Sequence, residues 1–126
     1  MSGRMEEATG LPHGFPLREE WEVTPRCLAK ELSADPPVVV LDCRTPEERE
    51  VARIPGSILV PMDEVSSRRE ELEAYLDRRV VVYCHRGRRS FQVTAFLRQQ
   101  GFSDVWSLAG GIDAWSVGID PSVPRY

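Results

Sequence analysis

Short unbroken apolar runs alternate along this chain with polar stretches of helical spacing. Trp21 and Val23 suggest a first edge strand. Thr24 reads as an N-cap with Pro25 at the first helical position, and Val23 and Leu28 stand at the spacing of a hydrophobic staple. That helix runs to about Ser33, where Asp35-Pro36-Pro37 stops it. Val38 to Cys43 is a continuous, β-branched apolar run, the pattern of a strand covered on both faces. Thr45-Pro46-Glu47-Glu48 is a capping box that opens a short helix to about Ala52. Ile54 to Val60 offers another strand, and Leu72, Tyr75 and Leu76 place a helical spacing within residues 63–77. Val80 to Cys84 is a second fully apolar strand. A loop from His85 to Arg89 centres on Gly87, and a helix over Ser90–Gln100 ends at Gly101. Val105 to Leu108 is the last strand, Gly110-Gly111 a turn, and Ile112 to Trp115 the start of a short helix. Strand and helix alternate throughout, which predicts an α/β domain with a mostly parallel sheet. Residues 1–19 read as a flexible extension and residues 20–126 as a single domain.

Composition narrows the function. At 126 residues, 41% apolar and 29% charged, the chain is one globular domain with a core of its own. No apolar run approaches the roughly 20 residues that span a bilayer, so no membrane role is expected. Residues 1–20 lack the apolar core of a secretory signal, which predicts a cytoplasmic protein. A net charge of −4 argues against nucleic acid as a partner. Cys27, Cys43 and Cys84 cannot all pair within one chain and none forms a CxxC, so neither a metal site nor a disulfide scaffold is expected. A working thiol is what remains.

The informative segment is Cys84-His85-Arg86-Gly87-Arg88-Arg89-Ser90. A cysteine ends a buried strand and a loop then feeds a helix N-terminus. Ligands bind at the carboxyl ends of strands in open α/β sheets, and N–H groups at a helix start favour anions. Arg86, Arg88 and Arg89 add positive charge to a chain that is acidic overall. A thiolate is favoured in such a place, so Cys84 reads as a nucleophile in an anion-binding cradle.

This segment resembles the active-site loop of rhodanese-type sulfurtransferases, and three further segments carry the likeness. Leu41-Asp42-Cys43-Arg44-Thr45-Pro46-Glu47-Glu48 is similar to the family's strand end with Asp and Arg flanking one residue. Ile54-Pro55-Gly56-Ser57-Ile58 is similar to its I-P-G-A-I segment, and Leu108 to Trp115 to its L-x-G-G-x-x-x-W. Two departures stand out. Ala52-Arg53 replaces the usual Gly-His, and Cys43 sits where an aliphatic residue is common. The ending Ile119 to Tyr126 resembles rhodanese domains attached to adenylyltransferases of sulfur pathways, although 126 residues leave no room for that second domain.

The resemblance implies a rhodanese-like fold: a mostly parallel five-stranded sheet with helices on both faces. It implies that Cys84 takes sulfane sulfur from thiosulfate or a persulfide donor, holds it as a persulfide, and passes it to a thiol, cyanide or a sulfur-acceptor protein. No cofactor is required. His85, Arg86, Gly87, Arg88, Arg89 and Ser90 would form the substrate-binding loop, with Arg89 placed for direct contact with an anionic donor. Asp42 and Arg44 would support the site, chiefly as a structural ion pair, and Cys43 is expected to face the core. Two alternatives stand beside this reading. One is a protein-to-protein persulfide carrier in cofactor sulfuration. The other is a cysteine phosphatase or arsenate reductase, but there the arginine that closes the loop would fall at position 90, which is Ser90.

Overall fold

A computed structural model describes residues 4–126. Five parallel strands form one sheet: β1 (Glu22–Val23), β2 (Val39–Asp42), β3 (Ile58–Leu59), β4 (Arg79–Tyr83) and β5 (Asp104–Leu108). Their order across the sheet is β1-β5-β4-β2-β3, so the two long apolar strands lie side by side at the centre. The helices are α1 (Pro25–Leu32), α2 (Pro46–Val51), α3 (Arg69–Leu72), α4 (Arg88–Gln99) and α5 (Gly111–Gly118).

Side chains alternate across a strand, and both faces of this sheet are covered. Val39, Leu41 and Cys43 share one core with Val80, Val82 and Cys84, under Leu72 of α3 and Val93 and Leu97 of α4. Val40, Val81 and Tyr83 face the other core, under Leu28 of α1 and Ile112 and Trp115 of α5. The caps follow the sequence. Thr24 accepts the N–H of Cys27, and Thr45 and Glu48 form the reciprocal capping box.

Four stretches depart from expectation. The strand predicted over Ile54–Val60 pairs only at Ile58 and Leu59, because Ile54 donates its N–H to the Tyr83 hydroxyl and Gly56 turns the chain at φ +82°. The helical spacing within 63–77 breaks into a 3-10 turn (Met62–Glu64), α3, and a second 3-10 turn (Glu73–Tyr75). Ser66 and Ser67 lie between the first two, and the Ser67 hydroxyl donates back to the Glu64 carbonyl, a local bond that competes with helix. Helix α4 starts at Arg88 rather than Ser90, so Arg88 and Arg89 stand in its first turn.

The fourth departure is the N-terminal stretch, expected to be flexible. From Arg4 on it lies against the domain. Met5 bridges to Pro12, Thr9 accepts the N–H of Arg26, and Leu11 is 2% exposed in a small core with Ala109 and Ala114. Residues 1–3 of that stretch lie outside the described residues. Polar residues and glycines around Leu11 hide its role in the sequence. Truncating a fully buried leucine costs about 2–3 kcal/mol, whereas a change in a solvated extension costs under about 0.5. Leu11→Ala is therefore expected to lower unfolding free energy by about 2–3 kcal/mol in a urea titration.

Candidate active site

Helix α4 has an unusual start. Its N-cap is Gly87, which has no side chain to receive the first N–H groups, at φ +106° where only glycine sits without strain. The Cys84 sulfur takes the part of the missing cap. It accepts the N–H of Gly87 at 3.1 Å and of Ser90 at 3.3 Å. Ser90 is the third helical residue, the position whose N–H a capping side chain ordinarily satisfies. The Ser90 hydroxyl stands 3.4 Å from the same sulfur and 2.8 Å from the Ser107 hydroxyl. With Cys84 ionised, Ser90 donates to it and receives from Ser107.

The far side of the loop is pinned by α5. Ile112 donates its N–H to the Cys84 carbonyl at 3.0 Å and Asp113 to that of His85 at 3.1 Å. Gly111 permits this approach, since a Cβ there would collide with the His85 carbonyl. The Gly110-Gly111 turn thus fixes the loop that carries the cysteine.

Cys84 is 1% exposed, yet its acidity rises. Its pKa is pushed down to about 5 from 9.0, first by the neighbouring Cys43 thiol, whose own hydrogen bond runs to the Tyr83 carbonyl at 3.5 Å. Burial opposes this, and the Ser90 hydroxyl and the N–H groups of Ser90 and Gly87 add to it. Cys43 moves the other way: the Cys84 sulfur beside it and its own burial push its pKa up. Cys43 is therefore the thiol of the pair and Cys84 the thiolate. As expected, Cys43 lies in the core, but its contact with Cys84 was not legible in the sequence.

Asp42 and Arg44 are both 0% exposed. Arg44 donates to both oxygens of Asp42 at 2.9 Å and to the Ala52 carbonyl at 2.6 Å. Asp42 also receives Arg49 at 3.1 Å and the Tyr83 hydroxyl at 3.0 Å. This ion pair ties the end of β2 to the segment before β3, and neither member has surface to offer a substrate.

Arg89 is paired with a carboxylate outside the loop. Its guanidinium donates to the two Glu48 oxygens at 2.6 and 2.9 Å. The same Glu48 completes the capping box of α2 and receives the Tyr126 hydroxyl at 2.6 Å. Arg89 first, then Tyr126, overcome burial and hold Glu48 down at about 2. Arg86 and Arg88 are exposed, and their side chains have no hydrogen-bond partner among the described residues. His85 is half-buried and stacks on Tyr126, ring centroids 4.1 Å apart. Glu48, Ser107 and Tyr126 are the neighbours that sequence reasoning missed. The capping box accounts for Glu48 without reference to Arg89, and nothing in the sequence brings Tyr126 back to the loop.

The Rhodanese-like domain model matches residues 24–117, and the chain belongs to the rhodanese family. A sulfurtransferase of Allochromatium vinosum is 39% identical over 95 residues, covering 75% of this chain and 87% of that protein. An adenylyltransferase and sulfurtransferase of Zea mays is 30% identical over 115 residues, 87% of this chain but only 24% of that protein. The chain thus spans nearly all of the first relative and about a quarter of the second. Among solved structures, a rhodanese-related protein of Thermoplasma volcanium aligns with a TM-score of 0.69 at 30% identity, covering 82% of this chain and 95% of that one. The human single-domain sulfurtransferase aligns with a TM-score of 0.60 at 25% identity, covering 69% and 88%. Fold and relatives together make this a sulfurtransferase domain of the rhodanese type.

Glu48 binds Arg89 more strongly folded than unfolded, so its contribution to stability is present above its unfolded value of 4.5 and fades as pH falls toward about 2. Glu48→Gln is expected to lose about 1–2 kcal/mol at neutral pH, the worth of a charged hydrogen bond. Denaturant titrations at stepped pH should show the gap between variant and wild type closing below 4.5.

Proposed function

We propose that this domain moves sulfane sulfur through a Cys84 persulfide, from thiosulfate or a persulfide donor to a thiol, cyanide or a sulfur-acceptor protein. The observation that carries the reading is the Cys84 sulfur serving as N-cap of α4. A sulfur held ionised at a helix start is both nucleophile and leaving group, and sulfur transfer asks for each in turn.

In the first half, the Cys84 thiolate attacks the outer sulfur of thiosulfate. The Sγ–S bond forms, the S–S bond of thiosulfate breaks, and sulfite leaves with the electron pair. In the second half, a thiolate or cyanide attacks the terminal sulfur. The Sγ–S bond breaks and its electron pair returns to Cys84. Neither half needs a proton from the protein once Cys84 is ionised. The N–H groups of Arg88 and Arg89, in the first turn of α4, have no acceptor within the helix and are available to the terminal anionic sulfur.

Arg89 was the expected contact for an anionic donor, but Glu48 holds it in a supporting role. Arg86 and Arg88, exposed and free of side-chain partners among the described residues, take that role instead. The pairing of Arg89 with Glu48 also weighs against the phosphatase reading, which asks for an arginine free to bind the transferred group.

Brief incubation with thiosulfate is expected to release one sulfite per chain and add the mass of one sulfur to Cys84, discharged by cyanide. Cys84→Ser takes up none. No sulfur gained from either thiosulfate or a protein persulfide would overturn the proposal. The double variant Arg86→Ala/Arg88→Ala is expected to raise the KM for thiosulfate about tenfold with little change in kcat, an effect that shrinks as salt rises.

A further inference from the structure

Cys43 is a second thiol at the site that forms and breaks no bond in the transfer cycle. Its position is set by the sheet. Strands β2 and β4 run parallel with Asp42 opposite Tyr83, and one more step in that register sets Cys43 beside Cys84. The Cys43 N–H donates to the Tyr83 carbonyl at 3.1 Å, so the pairing does continue to this residue. Neighbouring strands stand about 4.8 Å apart, inside the 4.4–6.8 Å range of Cα separations that a disulfide bridges. Both side chains lie in the same core cluster, hence on the same face of the sheet. A cleft of about 170 Å³ has Cys43, Thr45, Met62 and Arg89 in its walls, so Cys43 adjoins an opening.

We infer that Cys43 is a resolving thiol, which discharges the Cys84 persulfide as sulfide when no acceptor arrives. This rests on the persulfide reading of Cys84. The Cys43 sulfur attacks the inner sulfur, Cys84 Sγ. A Cys43–Cys84 disulfide forms, the bond to the terminal sulfur breaks, and that sulfur departs with the electron pair. It also takes the Cys43 proton and leaves as hydrosulfide. The sulfane sulfur is reduced and the two cysteines are oxidised, so electrons balance without an outside oxidant. A dithiol reductant entering by the cleft then returns both cysteines to thiols and is itself oxidised to a disulfide. The strong hold of Cys43 on its proton keeps this discharge slow beside transfer to an external acceptor.

The test starts from protein loaded with thiosulfate and then desalted. Intact mass, released sulfide and an unreduced tryptic map are followed with time. The wild type is expected to lose its sulfur, release one sulfide per chain, and yield the peptides of residues 31–44 and 80–86 as a linked pair. Added dithiothreitol should restore its capacity to load. Cys43→Ser keeps a hydroxyl donor for the Tyr83 carbonyl but has no thiol, and is expected to hold the persulfide at least about tenfold longer. Loss of sulfur from the wild type at the rate of the variant, or without the linked peptides, would overturn the inference while leaving the persulfide intact as a reading. Failure of both proteins to load would overturn the persulfide itself, and the inference with it. The wild-type map stands alone if the variant does not fold.

Discussion

A negative charge on a buried sulfur is the constraint around which this domain is arranged. An isolated charge out of water is costly, and Cys84 is 1% exposed. Its charge is tolerable only because donors converge on it: two N–H groups and a serine hydroxyl. Each donor has its own structural requirement. The two N–H groups need a helix that begins with no cap of its own, hence Gly87. The hydroxyl needs Ser107 behind it to accept from. The loop in turn needs α5 close beneath it, which Gly111 allows.

Around that sulfur the charged residues sort into supports and free groups. Asp42, Arg44 and Arg49 form a network closed by Tyr83 and the Ala52 carbonyl, which fixes where β2 ends and so where Cys43 lies. Buried ion pairs of this kind are weak evidence for net stability, but loss of one member leaves an uncompensated charge. Arg89 and Glu48 join α4 to α2 across the mouth of the site. Only Arg86 and Arg88 of the loop's arginines remain at the surface without a side-chain partner among the described residues.

Much of this was legible in the amino-acid sequence, for local reasons. Val80 to Cys84 and Val38 to Cys43 read as buried strands because short runs rich in β-branched residues suit a sheet covered on both faces. Thr24 and Thr45 read as caps because their partners lie within a few residues. The start of α4 did not, since its cap is a sulfur belonging to the preceding strand rather than a side chain at the N-cap itself. Leu11 was missed because one apolar residue among glycines and prolines carries no period. At the site, the loop from Cys84 to Ser90 announced an anion cradle through its glycine and arginines. The roles of its parts depend on contacts distant in sequence: Glu48 with Arg89, Tyr126 with His85, and Cys43 with Cys84. Strand register and the return of the C-terminal residues set those contacts, and neither has a local signature.

The most direct test is the ionisation of Cys84 itself, followed as the rate at which the tryptic peptide of residues 80–86 takes up iodoacetamide label in the wild-type protein. An alkylation rate that falls only below about pH 5–6 and stays level through neutrality is the result expected of a capped thiolate. A rate that climbs through pH 8–9, as an ordinary thiol's does, would contradict it.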